Sequence, residues 1–146
     1  MTINSLFPSH KANGFSLIEL IVVLIILSIL AAFAIPAYNN YIEKTDLADA
    51  KQKLIALKQS VETEKLGNPH ITTADAFTSS WNKLKPDVKK YRLLHTINDK
   101  NLYLQAVPTN PSYKYGLWMD WNNSVYRCRG LSDQVLTAKA GSCESF

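Results

Sequence analysis

The chain has 146 residues, 47% of them hydrophobic, and a formal charge of +4. That length accommodates one domain, the charge is ordinary for a soluble domain and selects no partner by itself, and only five glycines with no glycine-rich phosphate loop argue against nucleotide chemistry.

The first fourteen residues form a short polar segment with His10 and Lys11 and no acidic residue. From Leu20 to Ala37 follow eighteen residues whose only polar member is Ser28, and no charge occurs between Glu19 and Glu43. Such a run is long enough to cross a bilayer as a helix. A secretory signal would have a shorter apolar stretch before a small-residue cleavage site, so this one reads as retained. Positive charge ahead of it favours a cytoplasmic leader and an exported C-terminal part. Glu19 is the anomaly, because a carboxylate at the edge of a membrane helix is costly without a partner. The segment offers no internal Lys or Arg. Two readings stay open on physics alone: Glu19 is solvated at headgroup level, or it pairs with an ammonium created by cutting the chain before Phe15.

Gly14-Phe15-Ser16-Leu17-Ile18-Glu19, followed by the apolar run, resembles the class III signal of type IV pilins and pseudopilins, written G-F-[ST]-L-x-E. The resemblance implies a leader of residues 1–14, cleavage by a prepilin peptidase after Gly14 and N-methylation of Phe15. It implies that Glu19 pairs with the terminal amine of a neighbouring subunit. Losing Lys11 with the leader lowers the charge to about +3. Pro36 lacks the amide hydrogen of the helix ladder and is expected to kink or loosen the segment; similar pilins have a proline here, where the helix melts locally in the filament. Tyr38 and Tyr41 suit an aromatic membrane boundary.

Beyond the apolar run, taken as residues 15–37, an amphipathic helix is expected over 38–67. Leu47, Ala50, Leu54, Leu57 and Val61 recur at steps of three and four and share one stripe. Asp49 and Lys53 form an acid-before-base pair four residues apart. Gly67-Asn68-Pro69 combines a C-cap glycine with a breaker and ends the helix near Leu66. From Phe15 this is about fifty residues, roughly 75 Å, more than a domain of this size can enclose, so the first half needs a bilayer or other subunits.

Residues 68–146 are expected to form the head. Phe77 and Trp81, four apart, predict a helical turn packed on it. Strands are predicted over Tyr91–Ile97, Leu102–Val107, Lys114–Met119 and Ser124–Cys128, separated by Asn-, Asp- and Pro-rich turns. Leu131, Val135 and Ala138 suggest one short helical face. Cys128 and Cys143 are spaced unlike a CxxC pair or a zinc knuckle; a structural disulfide in an oxidising compartment is the leading reading, with two buried thiols as the alternative. The expected fold is therefore α+β: a long N-terminal helix packed on a four-stranded antiparallel sheet, closed by a disulfide-bounded loop over 128–143. That loop resembles the variable C-terminal region of pilins. Tyr115 to Met119, Tyr126 to Arg129 and Gly141 to Phe146 resemble neisserial PilX-type minor pilins, which implies a minor subunit supporting adhesion and aggregation. A calcium-binding pseudopilin of type II secretion is disfavoured by the cysteines.

His70 and His95 lie in different predicted elements with no carboxylate or cysteine pattern beside them, so no catalytic or metal site is indicated and no cofactor is expected. Trp118 and Trp121 read as packing residues. Lys83, Lys85, Lys89, Lys90 and Arg92, with Tyr91 among them, are either a solvated cluster or a strip for DNA, where cations neutralise phosphate and rings stack on bases. The expected partners are other pilin subunits, the inner membrane, the prepilin peptidase and, at the head, DNA or the pili of neighbouring cells.

Overall fold

A computed structural model describes residues 14–134, 136–139 and 142–146. The proposed leader, Gly14 apart, lies outside them. The chain divides into two compact units, Met1–Asn39 and Asn40–Phe146. Helix α1, Leu17–Gly67, supplies all the described regular structure of the first unit and continues into the second.

In the first unit every large apolar side chain from Phe15 to Ile35 is exposed. This stretch is long and apolar enough to cross a membrane. Pro36 lies inside α1 rather than ending it.

In the second unit the five stripe residues Leu47, Ala50, Leu54, Leu57 and Val61 are all buried, as their spacing predicts. They face Leu102, Leu104, Ala106, Leu117 and Met119, alternate residues of a sheet, in one core. Each such leucine, fully buried, contributes about 1.5–3 kcal/mol relative to exposure. The predicted Asp49–Lys53 pair is not among the ion pairs of the described residues; an exposed pair gains too little to hold two long side chains together. Gly67 ends α1 without the left-handed conformation expected of a C-cap glycine, since the only described glycine with positive φ is Gly130. Instead Asn68 N–H still donates to the Glu64 carbonyl at 3.0 Å, its side chain accepts from His70 N–H at 3.3 Å, and Pro69 cannot continue the ladder.

Helix α2, Thr73–Leu84, begins at the N-cap Thr72, whose hydroxyl accepts from Asp75 N–H at 3.1 Å. It places Phe77 in the core with Trp81 beside it, ring centroids 5.7 Å apart. The strands are β1 (Tyr91–Asn98), β2 (Asn101–Pro108), β3 (Tyr115–Met119), β4 (Val125–Arg129) and β5 (Cys143–Ser145), hydrogen-bonded in that order and antiparallel throughout. Asp99, at φ 58°, makes the two-residue turn between β1 and β2. Asp120 makes the β3–β4 turn by accepting from Asn122 and Ser124 N–H at 3.1 and 2.9 Å.

The α+β architecture matches the sequence expectation with one strand more than the four foreseen. The addition is β5, whose Cys143 stands directly opposite Cys128 of β4.

Candidate functional site

The N-terminal segment is built around Ser16 and Glu19. Glu19 is the third residue of α1, and its Oε2 accepts a hydrogen bond from Ser16 N–H at 3.0 Å. This is the return half of a capping box, a carboxylate answering an orphan amide at a helix start. Its negative charge also complements the positive end of the helix dipole. The Ser-x-x-Glu spacing carries this signal in the sequence, beside the membrane and inter-subunit readings of Glu19. Phe15 and Gly14 precede the helix and are exposed.

The head presents two polar anchors on the buried face of α1. Glu43, 7% exposed, accepts at Oε1 from Lys114 N–H at 2.6 Å and Tyr115 N–H at 3.0 Å, fixing the start of β3 to the helix. Charge-assisted bonds of this kind are the stronger class. Lys58, also buried, donates to the Leu102 carbonyl at 3.1 Å. Burial pushes its pKa below the ordinary lysine value, with Glu62 opposing. Burial, reinforced by Glu43, pushes the Tyr91 phenol up, and Tyr91 remains a neutral donor to the Tyr115 carbonyl at 3.2 Å.

The other face of the sheet is covered by the segment between the cysteines. Cys128 and Cys143 are bonded, and with Tyr103 and Trp118 they form a second buried cluster packed by Tyr126, Leu131 and Leu136. Trp118 Nε1–H donates to the Leu136 carbonyl at 2.7 Å. Gln105, 0% exposed, donates to the Ser132 carbonyl at 2.7 Å and accepts from Leu136 N–H at 3.4 Å. The short helix suggested by Leu131, Val135 and Ala138 is absent among the described residues of this segment; Val135 lies outside them. Its backbone groups are taken by Gln105 and Trp118 instead of by an internal ladder. Gly116 permits the approach: a Cβ there would meet the Ala106 carbonyl oxygen at 2.6 Å and Leu131 Cδ1 at 2.9 Å.

The basic run is dispersed by the fold. Lys83 lies 4.0 Å from Glu64, Lys90 lies 3.4 Å from Asp46 and Arg92 lies 2.6 Å from Asp133. The Lys90 ammonium also donates to Tyr113 Oη at 3.1 Å, the chief cause of a pKa above the ordinary lysine value. Lys85 ends α2 at φ 41°, and among the described residues neither it nor Lys89 makes an ion pair. Trp121, expected to pack, is 54% exposed on the β3–β4 turn. Among the described residues no three His, Cys, Asp or Glu side chains are grouped to hold a metal.

Residues 9–35 match the prokaryotic N-terminal methylation motif, which spans Gly14, Phe15 and Glu19 together with most of the apolar run. The chain is 43% identical over 65 residues to the prepilin peptidase-dependent protein D of Escherichia coli K12, covering 44% of each chain. It is 42% identical over 81 residues to a type IV major fimbrial protein FimA of Dichelobacter nodosus, covering 56% of this chain and 50% of the relative. The chain is thus similar to type IV fimbrial proteins over part of its length. The matched region spans about half the length or less of these curated relatives, and no solved structure matches.

Within this chain the candidate residues fall into separate groups. Gly14, Phe15, Glu19 and Pro36 lie in the first unit, whereas Cys128, Cys143 and the five basic residues lie in the second. Two residues that anchor the second unit, Glu43 and Gln105, carried no local signal. Each is a polar residue whose partners lie far along the chain, 71 and 72 residues for Glu43 and 27 and 31 for Gln105.

Proposed function

We propose that this chain is a type IV pilin, made as an inner-membrane precursor, cut between Gly14 and Phe15, methylated at Phe15, and built as a non-enzymatic minor subunit into a type IV pilus outside the cell. The observation that carries the reading is the first unit itself. There the apolar part of α1 is exposed; the helix starts at Leu17, within the processing motif, and has a single acidic residue in its first turn. Exposed apolar surface on that scale requires a bilayer or other subunits to cover it. Glu19 then supplies the carboxylate for the amine of a neighbouring Phe15. Pro36 is the place where the helix loosens during packing. The minor-subunit and adhesive roles rest on the C-terminal likeness to PilX-type pilins and on the disulfide-bounded segment, whose described residues are mostly exposed.

Sheared filaments provide the test. Mass spectrometry of their tryptic peptides should give an N-terminus at methylated Phe15, and immunogold labelling should decorate filaments sparsely. A chain in the filaments that still begins at Met1 rules out the processing. Substitutions in Gly130 to Lys139 should reduce cell aggregation while filament number stays the same.

The DNA reading is weaker, because Lys83, Lys90 and Arg92 already face carboxylates. DNA binding by the full chain in neutral detergent should be weak. An affinity falling with salt by several counterions, and abolished by Lys89→Ala with Lys90→Ala, would establish the strip as a DNA site instead.

A further inference from the structure

A cavity of about 420 Å³ lies wholly within the second unit, with Asn40, Lys44, Lys114, Arg127 and Arg129 on its walls and Leu47 and Phe146 as its apolar part. Four cations thus line one small space. Only one lining residue, Glu43, is acidic, and its Oε1 is occupied by two backbone N–H groups. Arg127 is paired with Glu144 at 2.9 Å, yet its Nε is buried without a hydrogen-bond partner. Lys44, Lys114 and Arg129 make no ion pair among the described residues. The guanidinium groups are held in place: Arg127 and Arg129 lie 4.7 and 5.2 Å from the Tyr115 ring centroid, and Arg129 donates to Tyr115 Oη at 2.7 Å. Preorganised cations beside an apolar wall suit a phosphodiester that carries hydrocarbon.

Chain length limits where this cavity sits in the precursor. Asn40 follows Ala37, the last residue of the apolar run, by three positions. Three residues reach at most about 11 Å, so one wall of the cavity lies within or beside the headgroup layer whatever the arrangement of the two units. Cations on the exported side of a membrane segment run against the usual bias and call for a compensating anion.

We infer that the cavity lined by Lys44, Lys114, Arg127 and Arg129 binds the phosphate of an anionic phospholipid headgroup in the membrane-anchored precursor, holding the head to the bilayer until the subunit is extracted. This rests on the membrane-anchored reading of the proposed function.

The test uses the full chain reconstituted in vesicles of phosphatidylcholine alone, or of phosphatidylcholine mixed equally with phosphatidylglycerol. Acylation rates of individual lysines are read by mass spectrometry. Lys44 and Lys114 should react on the order of fivefold more slowly in the anionic vesicles, the factor equivalent to about 1 kcal/mol for one cation at such a surface. Lys85 and Lys89 should change little. Arg129→Gln, an exposed position, should restore much of the reactivity, and Arg129→Lys should not. Equal rates in both vesicles, or equal slowing of all four lysines, overturns the site. So does protection in neutral vesicles that is produced by inorganic phosphate, or that rises with protein density and marks a second copy as the occupant. A chain washed from the vesicles by alkaline carbonate overturns the membrane reading as well, whereas a retained chain with unprotected lysines overturns the lipid site alone.

Discussion

Replacing Glu19 by Ala is expected to leave the precursor in the membrane fraction but to lower its content in sheared filaments roughly a hundredfold. The estimate follows from breaking a desolvated ion pair, which costs about 3 kcal/mol or more, with each 1.4 kcal/mol worth about a factor of ten. The geometry supplies a competing role, because Glu19 also caps its own helix through Ser16 N–H. Loss of a cap costs only about 0.5–2 kcal/mol, and glutamine at this position of a capping box does the same work. Glu19→Gln separates the two. If the negative charge pairs with a neighbouring Phe15 amine, Glu19→Gln is excluded from filaments as strongly as Glu19→Ala. Quantitative immunoblots of membrane and sheared fractions read the outcome. Normal incorporation of the Gln variant would reduce Glu19 to a helix cap.

The double substitution Cys128→Ser with Cys143→Ser should destabilise the head by about 3 kcal/mol, the chain-entropy value for a loop near fifteen residues. The consequence should extend beyond the bridge. The disulfide closes a segment that covers one face of the sheet, accepts hydrogen bonds from the Trp118 indole and the Gln105 amide N–H, and donates one from Leu136 N–H to the Gln105 amide oxygen. If the segment lifts, a fully buried amide and a buried indole lose their partners, at about 1–3 kcal/mol for each group left unsatisfied. The measurement is denaturant unfolding of the full chain in neutral detergent, followed by tryptophan fluorescence. The variant should unfold at a lower midpoint and show red-shifted emission as Trp118 meets water. An unchanged midpoint would mean that side-chain anchoring alone holds the segment.

What was legible in the sequence was whatever depends on near neighbours along the chain. The apolar run and the Gly14-to-Glu19 motif are contiguous, and the stripe Leu47, Ala50, Leu54, Leu57 and Val61 follows from helix periodicity. The first four strands were legible because their turns use local chemistry: Asp99 tolerates the left-handed conformation its turn requires, and the Asp120 side chain accepts from the amides of its own turn. Tertiary structure decided the rest. A three-residue strand has too few positions to show alternation, so β5 exists only through its pairing with β4. Glu43 and Lys58 sit on the buried face of α1 because their partners come from the start of β3 and from Leu102, 44 or more residues away. The described residues of the segment between the cysteines are not helical because Gln105 and Trp118, from the middle of the sheet, claim backbone groups there. The basic run reads as one strip in sequence, but Glu64, Asp46 and Asp133 divide it in space. In each case the deciding interaction joins residues that only the folded topology brings within hydrogen-bonding or ion-pair distance, and neither composition nor periodicity records such a meeting.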